Sequence, residues 1–143
     1  MPIRQPTLFD PFGGEPALIQ LLTPDEIYEQ AERFVGLLKE DRRIERKTGG
    51  IHSQSLGEYF SMWANTSPDG GLIVVGIEDD GSVSGLKTLD HKPLNTLEKC
   101  GYDRCPQAFY DTKRVRIKNE KKEDDFVLLI RVKYHQTDRK SVV

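Results

Sequence analysis

The stretch ANTSPDGGLIVVGIEDDGSVSG, residues 64–85, decides how the rest of the chain is read. Asn65 to Gly70 cannot continue a helix and reads as a turn. Leu72 to Ile77 is a run of apolar β-formers without polar alternation, which predicts a strand buried on both faces. Asp80-Gly81 is the strongest hairpin dipeptide in the chain and leads into Val83-Ser84-Gly85-Leu86. Glu78, Asp79 and Asp80 stand where that strand exits. They read either as turn chemistry or as the acidic lip of a site that handles nucleic acid.

Upstream of this strand, Thr23-Pro24-Asp25-Glu26 is a helix start, with Thr23 as N-cap, Pro24 at the first helical position and Glu26 closing a capping box. Ile27, Ala31, Phe34, Val35 and Leu38 recur at helical spacing, so one helix is expected to run to about Lys39. Residues 1–22, with their prolines and Leu8, Phe9 and Phe12, read as an irregular arm docked through its aromatics. Glu40 to Gly50 reads as a short strand near a sheet edge, ended by Gly49-Gly50. Ser53 or Ser55 can cap a second helix whose stripe is Leu56, Tyr59, Phe60 and Trp63.

Downstream, a third helix is expected within Pro93 to Cys100. The chain then closes on a hairpin. Arg114 to Lys118 alternates with period two, and Phe126, Leu128, Ile130 and Val132 share one face of its partner. The loop between them, NEKKEDD, reads as charged and exposed. These elements fall within one domain, residues 23–143. The ending HQTDRKSVV lacks capping or turn logic, so this is expected to be the N-terminal part of a longer protein.

A net charge of −2 gives no global attraction to nucleic acid or membrane, so any polyanion contact must come from local basic patches. No apolar run approaches the ~20 residues of a membrane span, and the N-terminus lacks the order of a secretory signal. Cys100 and Cys105 read as reduced thiols in a cytoplasmic protein. With His52 and His91 they make only a weak zinc pattern, because C-x4-C is not the usual spacing.

Two groups of residues can carry chemistry. Glu40, Glu45, Asp79 and Asp80 could hold Mg²⁺ or Mn²⁺ if they converge, and such an ion could position water on a phosphodiester. Residues five apart on one strand point to opposite faces, so Glu40 must belong to the preceding turn for this to happen. The same acids, interleaved with Arg42, Arg43, Arg46 and Lys47, can equally be a solvated charge run. The second group is Arg114, Arg116 and Lys118, on one face of the hairpin strand and able to grip phosphates. Its other reading is a strand kept soluble by charge. The Asn65-Thr66 and Gly70-Gly71 turn could cradle a phosphate, although no P-loop or dinucleotide fingerprint follows it.

The combined order of Glu40-x4-Glu45-x-Lys47, Trp63-Ala64-Asn65-Thr66, Gly70-Gly71, Val75-Gly76-Ile77-Glu78-Asp79-Asp80-Gly81 and Gly85 resembles the Schlafen AlbA_2 domain over about residues 40–86. The resemblance implies an α+β fold, a mixed sheet with two or three packed helices, and a nucleic-acid-binding domain, DNA first, that opens longer proteins resembling transcriptional regulators. It also implies the runner-up reading. In animal Schlafens a similar core cleaves structured RNA such as tRNA, with two glutamates and an aspartate on a divalent metal. By position those ligands fall on Glu40, Glu45 and Asp79, with Asp80 the close alternate. Two departures stand out: Ser67-Pro68-Asp69 lengthens the Gly-rich turn, and Arg46 stands where an aromatic is more usual. Animal Schlafens clasp RNA with two lobes, so one lobe implies a homodimer. A protein-interaction domain that touches no nucleic acid is the third expectation.

Overall fold

The computed structural model describes residues 15–51, 53–66, 70–100 and 109–133. Expectations placed on the N-terminal aromatics, His52, Ser67-Pro68-Asp69, Cys105 and the tail lie outside those residues. Four strands form one mixed sheet: β1 (Ile44–Lys47), β2 (Gly71–Val75), β3 (Phe109–Lys118) and β4 (Asp124–Lys133). Their order across the sheet is β1-β2-β4-β3. β1 runs parallel to β2, and β4 is antiparallel to both of its neighbours, β2 and β3.

β2 is buried throughout, and β4 from Val127 to Val132, because helices cover both faces of the sheet. α1 (Glu15–Leu21), α2 (Pro24–Glu29) and α3 (Ala31–Phe34) precede β1, α4 (Ser53–Thr66) links β1 to β2, and α5 (His91–Glu98) precedes β3. On one face Ile27, Phe34 and Val35 pack with Leu72, Val74, Val127 and Leu129. On the other Phe60, Trp63 and Leu94 pack with Ile73, Val75, Leu128 and Ile130. Strict alternation along β2 and β4 thus feeds two separate cores, which is why neither strand shows a polar face in sequence.

Three details differ from the reading of the sequence. The expected irregular arm ends in α1, whose Ile19 is buried and whose Leu18 packs against the same core. The single helix from Pro24 to about Lys39 is broken at Gln30, whose backbone leaves the helical region, and it finishes as a 3₁₀ turn at Val35–Leu37. The predicted apolar stripe survives that break, since Ile27, Ala31, Phe34, Val35 and Leu38 are all buried. Last, α4 begins at Ser53, so Ser55 lies inside its first turn and not at its cap.

The Thr23 capping box is formed, with Thr23 Oγ1 accepting from Glu26 N and Glu26 Oε1 accepting from Thr23 N. Gly70 and Gly71 serve packing. Gly70 has φ +67°, and a Cβ there would lie 2.1 Å from the Val132 carbonyl oxygen. A Cβ on Gly71 would lie 2.2 Å from the Trp63 ring. Both glycines are buried, so they are spent on the approach of β2 to its neighbours. No helix of the described residues is long and apolar enough to cross a membrane.

Candidate functional site

β1 is an edge strand of four residues, and its alternation sorts its side chains. Ile44 joins the core shared with α1–α3. Glu45 and Lys47 take the opposite face, where they meet Tyr59 of α4. The segment before β1 folds back through a bridge between Asp41 and Ile44. That fold-back lifts Glu40 off the strand, and the Glu40 and Glu45 side chains reach hydrogen-bonding distance. Glu40 Oε2 also accepts from the Arg46 backbone N at 3.0 Å.

This pair sits in a polar knot. Lys47 Nζ lies 3.8 Å from Glu45 Oε1 and 5.2 Å from the Tyr59 ring centroid. Burial pushes the Glu45 carboxyl above the usual range, and the neighbouring Glu40 charge pushes it further, against the pull of Lys47. Lys47 is also held above its ordinary value. Burial acts to lower it, but the Tyr59 hydroxyl and the two carboxylates outweigh that. The knot therefore favours the protonated form of Glu45, with the Lys47 ammonium beside it.

The acids at the β2 exit behave differently. The Glu78–Gly81 turn is closed by Gly81 N donating to the Glu78 carbonyl, and Ile77 bridges to Val83. Asp80 Oδ1 accepts from both Ser82 N and Ser82 Oγ, and the bond to the backbone N–H is the main reason its carboxyl lies below the usual range. Asp79 has an exposed side chain and offers its backbone carbonyl to Arg46 Nη2 at 2.7 Å. Among the described residues no group of three His, Cys, Asp or Glu side chains is placed to hold a metal ion. Glu40 and Glu45 thus supply two carboxylates, and the arrangement does not fit the three-carboxylate set that the resemblance implies.

The expected phosphate-binding cations divide into two kinds. Arg46 spans the loop structure, with Nη1 on the Leu38 carbonyl at 3.3 Å and Nη2 on Asp79, while its Nε is buried without a partner. Arg43 Nη1 donates to the Leu22 carbonyl at 2.7 Å and its Nη2 lies 3.9 Å from Asp41. Both are committed to holding the chain together. Arg42 is exposed, and its carbonyl accepts from Trp63 Nε1 at 3.1 Å.

On β3, Arg114 forks onto Glu98 of α5 with bonds of 2.9 and 3.1 Å. Arg116 and Lys118 are more open. The Arg116 side chain is 89 % exposed with Glu32 at 4.0 Å, and Lys118 pairs with the 92 %-exposed Asp124. Exposed pairs of this kind contribute little and exchange readily for another anion.

Register joins the two basic segments. Lys47 stands opposite Val75, Val75 opposite Leu128, and Leu128 opposite Arg114. Residues directly opposite in a sheet share a face, so Lys47 and Arg114 lie on the α4–α5 side at opposite edges, three strand gaps or roughly 14 Å apart. Arg116 and Lys118 occupy the same side of β3, farther toward the hairpin tip.

Sequence reasoning missed three contributors. Tyr59 was placed in a core stripe, yet its hydroxyl serves Glu45 and Lys47. Glu98 was unremarkable in sequence and holds Arg114. Asp125 was assigned to an exposed loop but is buried, where Oδ1 accepts from Leu86 N and Lys87 N and Oδ2 accepts from Asn119 Nδ2. Period-two spacing with Val127 and Leu129 was the available signal that it points inward. In the comparisons with known proteins, the family model described as Schlafen, AlbA_2 matches residues 40–142. No curated protein matches the chain.

Proposed function

The chain belongs to the Schlafen AlbA_2 family, and from that premise we propose that it is a nucleic-acid-binding regulatory domain, with DNA as its first ligand. The cross-strand row from Lys47 to Arg114 carries this reading. It sets cations of both basic segments on one side of one sheet, at the two margins of the layer that α4 and α5 form over it. Arg116, Lys118 and the exposed Arg42 add phosphate contacts, whereas Arg43 and Arg46 support the loops from within. Few phosphates are neutralised and the net charge is negative, so affinity is modest and strongly salt-dependent. In this reading the domain works in the cytoplasm as part of a longer regulator, and a second copy widens the surface. An electrophoretic shift of the full chain with duplex DNA and with structured RNA, at low and high salt, tests it. Binding at low salt that disappears at high salt is expected, and no shift at either salt overturns it.

A second reading, a metal-dependent endoribonuclease, is favoured by the meeting of Glu40 and Glu45 beside Lys47. Asp79, the expected third ligand, and Asp80 are not gathered with that pair among the described residues, so this reading rests on the two glutamates. Cleavage of tRNA in the presence of Mn²⁺ or Mg²⁺, lost in folded Glu45→Ala and Asp79→Ala variants, would support it. Variants that cut as well as the parent chain would remove it.

A further inference from the structure

β3 ends the sheet, and its ten residues pair with β4 in unbroken register from Phe109–Lys133 to Lys118–Asp124. Among the described residues no strand pairs with the outer side of residues 111–118. An open edge of that length is a template for another strand, and folded proteins usually blunt it with a bulge, a proline or a covering segment. Residues 111–118 contain no proline and no break in register. Their one protective device is charge, with Lys113, Arg114, Arg116 and Lys118 against Asp111 alone.

Charge protection is selective by sign. Antiparallel pairing of this edge with a second copy sets cation against cation near its centre, which is unfavourable. An acidic strand meets the opposite situation. Arg114 is held by Glu98, but Lys113 rests over the Tyr28 ring, its ammonium 4.3 Å from the centroid. Arg116 and Lys118 have only exposed partners, which an incoming carboxylate can replace.

Two recesses open along the same strand. One of about 420 Å³ lies between the α2–α3 junction, including Gln30 and Ala31, and Lys113–Val115. The other, of about 390 Å³, is lined by Arg116, Ile117, Lys118 and Asp124. Side chains of an added strand that alternate toward the edge would have places to go. Nucleic acid is the poorer occupant here, because a strand edge presents carbonyl oxygens as well as N–H groups, and phosphates are repelled by the former.

We infer that the outer edge of β3, residues 111–118, is a strand-addition site for an acidic extended peptide segment of a partner protein. This goes beyond the nucleic-acid reading; the two share Arg116 and Lys118, and the peptide and oligothymidylate arms of the test tell them apart.

The test uses the full chain, ¹⁵N-labelled, and a blocked peptide of alternating Glu and Val as long as the 111–118 edge. Saturable binding should slow amide exchange within residues 111–118. N-methylating one alternating set of peptide residues should abolish binding while methylating the other set is tolerated, because only one set faces β3. A Lys-for-Glu peptide should not bind, and Arg116→Gln with Lys118→Gln should weaken the Glu peptide by about tenfold, without setting a like charge opposite Asp124. Equal binding of both methylated peptides would reduce the effect to charge alone and overturn the inference. So would protection of the edge by an oligothymidylate strand in place of the peptide, or no protection by either.

Discussion

Glu40 and Glu45 meet side chain to side chain although they are five residues apart, because the Asp41–Ile44 bridge turns Glu40 back over the strand that carries Glu45. The consequence is a Glu45 carboxyl that resists ionisation. Burial and the Glu40 charge raise the folded-state pKa of Glu45 above its unfolded value. The stability this confers is complete below the ordinary carboxylate range and is lost as pH rises through the raised value. Glu45→Gln removes the cost of ionisation, so its Tm should exceed that of the parent chain near neutral pH and converge with it near pH 4. Paired thermal melts across that range check the sign.

Arg46 is predicted to be structural before it is functional. Its guanidinium joins the Leu38 carbonyl to the Asp79 carbonyl, linking the end of the N-terminal helical segment to the turn after β2. Arg46→Ala leaves two acceptors without their charged donor and should cost about 2–4 kcal/mol. Arg46→Lys should recover little of this, because an ammonium cannot span two carbonyls in the guanidinium geometry. Urea denaturation midpoints of the two variants measure both.

Much of this architecture is legible in the residues. The apolar run at 72–77 marks β2, Thr23-Pro24 marks a helix start, and the alternation of 114–118 marks a hairpin strand. These signals are local, and burial imprints them directly on the chain. The mixed order of the strands is not local, and neither is the meeting of Lys47 with Arg114 in one row. Charge patterning also hides commitment. Arg43 and Arg46 look like Arg42 in sequence, but only the fold shows that the first two are consumed by carbonyls. Asp125 is the clearest case of a charge whose role depends on loops that fold over it from residues 85–87.

That aspartate gives the third prediction. Burial acts to raise its pKa, but bonds from Asn119, Phe126, Leu86 and Lys87 outweigh burial and leave it lowered. Its contribution to stability is present above the unfolded carboxylate value and is lost as pH falls through the folded one. Asp125→Ala strands the Lys87 N–H, leaves the Leu86 N–H with the Phe126 carbonyl alone, and should cost about 2–4 kcal/mol at neutral pH. The gap between variant and parent should narrow below about pH 4. Chemical denaturation at both pH values decides it.

Packing at the start of β2 gives a fourth. Gly71→Ala drives a methyl to within 2.2 Å of the Trp63 ring, and the fully enclosed indole has little room to withdraw. A cost of about 1–3 kcal/mol is expected from overpacking. Gly50→Ala is the control, since a Cβ there meets nothing within 4 Å. Equal melting temperatures for the two variants would contradict the close approach.

The nucleic-acid reading makes its sharpest claim through salt. If Lys47, Arg116 and Lys118 each neutralise one phosphate, replacing any one of them by Ala should lower the slope of log affinity against log salt by about 1. Arg43→Ala should leave the slope unchanged even if it weakens folding, because that guanidinium is held by the Leu22 carbonyl and Asp41. Lys47 and Arg116 come from opposite edges of the sheet, so their double variant should lose about twice the slope of either single one. Anisotropy titrations over several salt concentrations provide these slopes. If Arg116→Ala and Lys118→Ala matched the parent slope while Lys47→Ala did not, binding would be confined to the β1 edge, and the cross-sheet row would have no part in it.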